Sequence, residues 1–306
     1  MSFISNSTGS FFNRSLAQMA DLRAGIERQQ TQIATGVRIE RGSDDPAAAA
    51  QLRSIARREA LASVEGDNAA QLDQDLGAAS TELEAVTALL QRARELAVQA
   101  ANDPTGADGR QAIAFELEQL SEELFTRANA TSLTGEPLFA GLSSGTAFTR
   151  DGLGNVTYSG TPASGAVPVA PGTAIDRGLP GNEVFEFVSG GIPTSAFAVL
   201  GGLAAALGGG SPDPAAAANA ALEGIDAALD TASRAQTIIG TRMAWVEQVQ
   251  QQQDTRGVAL AERRSRVGDT DIAEAIARLQ QSLTALEASQ AAFTRVSSLS
   301  LFDALR

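Results

Sequence analysis

DTDIAEAIARLQQSLTALEASQAAFTRVSSLSL, residues 269–301, decides how the rest of the chain is read. Ile272, Ile276, Leu279, Leu283, Leu286 and Phe293 advance in steps of four and three, with Gln290 at the one polar step. That spacing marks a coiled-coil seam, narrower than the face a helix buries in a globular core. Asp269 or Thr270 stands where a helix cap is needed. Glu274 falls in the first turns, where the helix dipole favours an anion. A seam this narrow needs a partner helix, and the other end of the chain supplies one. Phe12, Met19, Ile26 and Ile33 recur every seven residues, with Leu16, Leu22 and Val37 widening the stripe. A seven-residue period specifies a left-handed supercoil. The two chain ends are therefore expected to pair with each other or with neighbouring copies.

The 306 residues would allow two globular domains by length, but aromatics are only 5%, with one Trp and one Tyr. Abundant alanine and long helical stretches point instead to close-packed helices in a rod. The chain has neither Cys nor His. Disulfides, thiolate chemistry and the commonest general base and metal ligand are thereby removed. No catalytic, cofactor or metal site is expected. Asp103 and Asp108 flank NDPTGAD but lack the spacing of a calcium loop, so a capped turn is the simpler reading. A net charge of −13 argues against nucleic acid as a partner. No apolar run is long enough for membrane insertion. The first residues lack the order of a cleaved signal peptide. A soluble protein is expected, leaving the cell only by a route that needs no such signal. Asn6, Asn13, Asn129 and Asn155 open acceptor sequons, most simply chance matches.

In chain order, residues 1–14 are Ser/Asn-rich and are expected to lack structure in isolation. The first seam helix then runs to about Thr35. A loop follows, with Ser43, Asp44 and Asp45 as cap candidates and Pro46 suited to a first helical position. A long helix is expected from Pro46 to about Ala101. Its seam is Leu72, Leu76, Ala79, Leu83, Val86, Leu90, Ala93, Ala97 and Ala100. Pro104 and Gly106 end it, and a third helix spans about Asp108–Ala128. Gly, Pro, Thr and Val then concentrate over 131–200. Phe148–Arg150 and Val156–Tyr158 around DGLGN read as a hairpin. Glu183–Val188 reads as a strand and Ser195–Leu207 as a short helix. From Pro214 to about Val267 one helix is expected, roughly 80 Å long. Its seam is Leu222, Ile225, Leu229, Ala232, Ile239, Met243 and Val246, with a Gln run at 250–253 in seam positions.

The expected fold is mainly α: a long nested antiparallel coiled-coil and helical-bundle rod with a β-rich insertion at its tip. Its domains are 1–41 with 269–306 (terminal coiled coil), 42–140 with 212–268 (helical rod) and 141–211 (insertion).

Four separated segments carry a family resemblance: Gln29–Ala50, LLQRARELAVQAAND (Leu89–Asp103), IIGTRMAWVE (Ile238–Glu247) and Ser265–Leu305. In order and spacing they resemble the flagellin superfamily of bacterial flagellar axial proteins. Asp44-Asp45-Pro46, Gly135–Gly141 and Leu299–Asp303 are similar to its hook–filament junction branch. The resemblance implies a structural role, no enzymatic activity, and an extracellular place in the flagellum after type III export without a cleaved signal. It implies self-assembly into a ring or tube, with hook-associated protein 1 and flagellin as neighbours and an export chaperone in the cytoplasm. The assembly seam would comprise Phe12, Leu16, Met19, Ile26 and Ile33 with Ile272, Ile276, Leu279, Leu283, Leu286 and Phe293. The chaperone would take Leu279, Leu283, Leu286, Phe293, Leu301 and Phe302 into a groove. A filament-forming flagellin with a junction-like sequence is the alternative, and a surface adhesin acting through 141–211 is a further one.

Overall fold

The computed structural model describes residues 3–102 and 106–304, with side chains described over 10–102 and 106–296. The helices are α1 (Phe3–Thr35), α2 (Pro46–Asn102), α3 (Ala107–Ala128), α4 (Gly181–Phe185), α5 (Ala196–Ala205), α6 (Pro214–Gly268) and α7 (Ile272–Ala304). The strands are β1 (Phe148–Arg150), β2 (Val156–Tyr158), β3 (Ala166–Ala170), β4 (Thr173–Asp176), β5 (Glu186–Ser189) and β6 (Ile192–Ser195). The chain divides into two compact units, Met1–Ala60 with Arg256–Arg306, and Leu61–Thr255.

Both long helices start on the same dipeptide. Asp45 accepts from the Ala48 backbone N–H at 3.0 Å ahead of Pro46, and Asp213 accepts from Ala216 at 3.0 Å ahead of Pro214. The aspartate satisfies an orphan helix donor, while proline lacks an N–H where none is needed. Asp44 instead accepts from the Arg41 N–H at 2.8 Å and shapes the loop. The expected start of the first helix near Ser15 is corrected: α1 is helical from Phe3. The part of the NDPTG turn at 103–105 lies outside the described residues.

In the unit Leu61–Thr255, all nine expected seam residues of α2, from Leu72 to Ala100, are buried. α3 runs antiparallel to α2, joined by Arg92–Glu116 at 2.7 Å and Arg127–Glu82 at 3.3 Å. α6 is antiparallel to α2 as well: Arg94 meets Asp226 at 2.6 Å, and Gln236 donates to the Thr87 hydroxyl at 3.2 Å. Ile225, Ala232, Ile239 and Val246 of α6 are buried, as their period requires.

Among the described residues the strands form three separate antiparallel hairpins, β1–β2, β3–β4 and β5–β6. β1–β2 has the expected register, Phe148 opposite Tyr158. The single strand expected over Glu183–Val188 is corrected to a helical turn, α4, running into β5. That turn brings Phe185 into an aromatic cluster, 5.3 Å from Phe148 and 5.5 Å from Phe197. Edge-to-face and offset contacts at this spacing add to simple burial. Phe148, Val169, Ala170 and Ile175 of these hairpins share one continuous core with α2, α3 and α6, reaching from Ala69 to Val249, with Phe187 packed against it. Gln253, in the Gln run, donates to the Val169 carbonyl, and Asn68 of α2 donates to that of Pro168 at 2.9 Å. β3 is thus tied to two helices by side-chain amides.

In the other unit, α1 and α7 pack antiparallel. Phe12 and Phe293 meet edge to face at 5.2 Å near one end. At the other end Val37 and Asp269 form a β-bridge. There Arg38 N donates to Gly268 O at 2.7 Å, and Thr270 N to Gly36 O at 2.8 Å. Gly36 takes φ +72, a left-handed conformation that ends α1 and sends the chain back along Gly268–Thr270. Among the described residues, the buried apolar side chains here are Met19, Ile26, Ala48, Ala49, Ile55 and Ala275.

Candidate assembly surface

α7 starts at Asp271, whose carboxylate accepts from Ala273 N at 3.0 Å and Glu274 N at 3.1 Å. The cap expected at Asp269 or Thr270 is therefore corrected to Asp271. Asp269 and Thr270 instead meet α1 through their backbones.

The side of α7 turned from solvent runs Ala275, Leu279, Ser282, Leu286, Ser289, Phe293 and Val296. Its steps alternate four and three, so the heptad geometry is present. It shares Leu279, Leu286 and Phe293 with the expected seam but not the rest. Ile272, Ile276 and Leu283 stand on the flank, 52%, 42% and 40% exposed. Gln290 is exposed and is not an interior polar group. The physical reason is size: Ala275, Ser282 and Ser289 let α1 approach, and the larger side chains one position on are left outside. Sequence periodicity alone ranked the larger residues first.

On α1 the facing line includes Phe12, Ser15, Met19, Leu22, Ile26, Gln29 and Ile33. Met19 and Ile26 are buried, Phe12 and Ile33 partly so, and Leu16 is 52% exposed. Gln29 is a polar side chain in this seam, and its Oε1 is buried with no hydrogen-bond partner. A group in that state costs about 1–3 kcal/mol. The intrachain pairing thus covers three of the six expected seam residues on α7 and four of the five on α1, and carries an unmet polar atom. Leu301 and Phe302, expected to meet a chaperone, lie outside the residues whose side chains are described.

The unpartnered flank is the surface that this arrangement offers to other molecules. It is apolar, carried on one helix, and presents side chains at i, i+4 and i+11. Missed from sequence was the role of Ser282 and Ser289. A Ser at every seventh position is a signal of close helix approach that a search for large apolar residues passes over.

Comparison with known proteins follows the same lines. Residues 7–144 match the family of the bacterial flagellin N-terminal helical region. Flagellar hook-associated protein 3 of Escherichia coli (strain K12) is 27% identical, over 97% of this chain and 98% of its own. A flagellin of Bacillus subtilis (strain 168) is 31% identical over 41% of this chain and 42% of its own. Among solved structures, a putative flagellar hook-associated protein from Vibrio parahaemolyticus superposes with a TM-score of 0.67 at 22% identity, covering 74% of this chain and 99% of that one.

Proposed function

We propose, from the premise that this chain belongs to the bacterial flagellin superfamily, that it serves as a hook-associated protein 3 joining hook to filament. It is a structural component of the flagellum. The observation that carries the reading is the likeness to hook-associated protein 3 over nearly the whole of both chains. A flagellin matches over less than half. The terminal helices support a mode of action. The exposed flank of Ile272, Ile276 and Leu283, with Leu16 on α1, stays unsatisfied in one chain and is covered when copies stack head to tail. On this reading residues 1–41 with 269–306 form the assembling coiled-coil domain, 42–140 with 212–268 the helical rod domain, and 141–211 the β-rich insertion.

The neighbours that follow are copies of the same chain, hook-associated protein 1 on the hook side and flagellin on the filament side. Export by the flagellar route without a cleaved signal, with a chaperone on Leu279, Leu283, Leu286, Phe293, Leu301 and Phe302, belongs to the same proposal. Absence of cysteine suits passage as an unfolded chain, because nothing can cross-link on the way. The test is gene deletion followed by electron microscopy. Hooks without filaments, with flagellin released to the medium, are expected. Normal filaments on the deletion strain overturn the reading. A filament-forming flagellin would instead be found in thousands of copies along each filament.

A further inference from the structure

Charge is divided unevenly along this chain. Residues 61–255 hold twenty-four carboxylates against eight arginines, a net −16, while 1–60 with 256–306 hold twelve against fifteen, a net +3. Among the described residues, one place in each unit gathers unpaired charge of that unit's sign beside exposed apolar side chains. In the acidic unit, a groove of about 540 Å³ lies between β5 and α6. Phe187, Val188 and Ile238 form its apolar wall, with Val188 62% and Ile238 41% exposed. Glu183, Glu186 and Asp230 line it too, all exposed, and none has an ion-pair partner among the described residues. The one cation in the groove, Arg234, is turned to the Thr231 hydroxyl at 3.0 Å.

In the basic unit, the Arg264–Glu59 bridge at 3.3 Å sets α2 and α6 at a common level. Arg57, Arg58, Arg263 and Arg266 stand exposed close to that bridge in the two helices, with no ion-pair partner among the described residues. Val258, 62% exposed, lies on the same stretch of α6. This band is the complement of the groove in charge, in apolar content and in unmet pairing.

We propose that the acidic groove of one subunit receives the arginine band of a second copy of the chain. Opposite charges around an apolar centre fix register and discourage wrong partners, because like charges would face each other in any other pairing of these surfaces. The proposal rests on the chain working in a polymer, as above, but not on which polymer.

The chain has no cysteine, so cross-linking starts from zero background. Glu186→Cys and Arg263→Cys variants are expressed together in the deletion strain, and isolated flagella are oxidised. A disulfide forms only when the two Cα atoms approach within about 7 Å. The expected product is a dimer of twice the chain mass, present with both variants together and absent with either alone. It is also absent when Leu153→Cys replaces Glu186→Cys, since Leu153 lies on another loop of the same unit, 89% exposed. Assembled flagella with no dimer overturn the proposal, as does an adduct with a protein of different mass. If the cysteine variants fail to assemble, charge exchange decides. Glu186→Arg should lower filament-bearing cells by about tenfold or more, and Arg263→Glu in the same gene should restore them. No restoration overturns the groove. Normal filaments on the deletion strain would remove the junction reading alone, since cross-linking is scored on whatever assembly contains the chain.

Discussion

Single aspartates set the ends of three long helices in this protein. Asp271 gives α7 its only side-chain cap among the described residues, so Asp271→Ala should cost about 1 kcal/mol. The loss should appear as faster amide exchange over Ala273–Ala277, with exchange in α3 unchanged. The Asp45 carboxyl is held below its ordinary value of 3.8, first by the Ala48 backbone N–H and then by Arg38. A carboxylate bound more tightly in the folded state stabilises it at pH values above 3.8, and that contribution disappears as pH falls through the lowered value. Asp45→Asn should therefore flatten the acid limb of a stability curve and leave its neutral arm sloped as before. Gly141 is a different constraint. It has φ +65, and an added Cβ would lie 2.2 Å from the Thr161 carbonyl oxygen. Gly141→Ala should destabilise the unit Leu61–Thr255 by roughly 2–3 kcal/mol or more, read as a lower denaturant midpoint.

At the scale of elements, legibility followed the strength of the repeat. The α2 seam from Leu72 to Ala100 was readable because apolar residues follow one another in steps of three and four without a polar interruption over that length. The β1–β2 hairpin was readable from DGLGN, whose Asp151 accepts from Leu153 N at 2.9 Å and Asn155 N at 2.8 Å. β3–β4 was not, because AVPVA places Pro168 inside a strand, where a missing donor normally argues against one. Pro168 is accommodated beside a bulge, with its carbonyl taken by Asn68. α4 was missed because five residues give no period to read. On α7 the period was right and the line was off by one position, since Ser282 and Ser289 look like surface residues until a partner helix lies against them. The exposed flank predicts a separation of effects. Leu283→Ser should lower the unfolding free energy of purified chain by only about 1 kcal/mol, because the site is already 40% exposed. It should reduce incorporation into flagella, scored by electron microscopy of the complemented deletion strain.

Across the whole molecule, the continuous core lies entirely within Ala69–Val249. The other unit has six buried apolar side chains among its described residues, and three of them are alanine. Hydrogen exchange on purified chain should therefore show two levels, with α1 and α7 exchanging far sooner than the α2 segment from Leu72 to Ala100. Uniform protection along the chain would contradict this. The unequal cores match the proposed division of labour: one unit is complete alone, and the other is finished by neighbours.

The crossing of α1 with α7 has its firm points at its two ends, the Phe12–Phe293 contact and the Val37–Asp269 bridge. Between them Met19, Ile26 and Ala275 are buried, but Ser15, Gly25, Gln29, Ser282 and Ser289 interrupt the apolar contact with small or polar groups. Such a strip is clasped at both tips and held only at intervals along its middle. Flexing of the pair is then expected to fall on those interruptions before it opens either clasp.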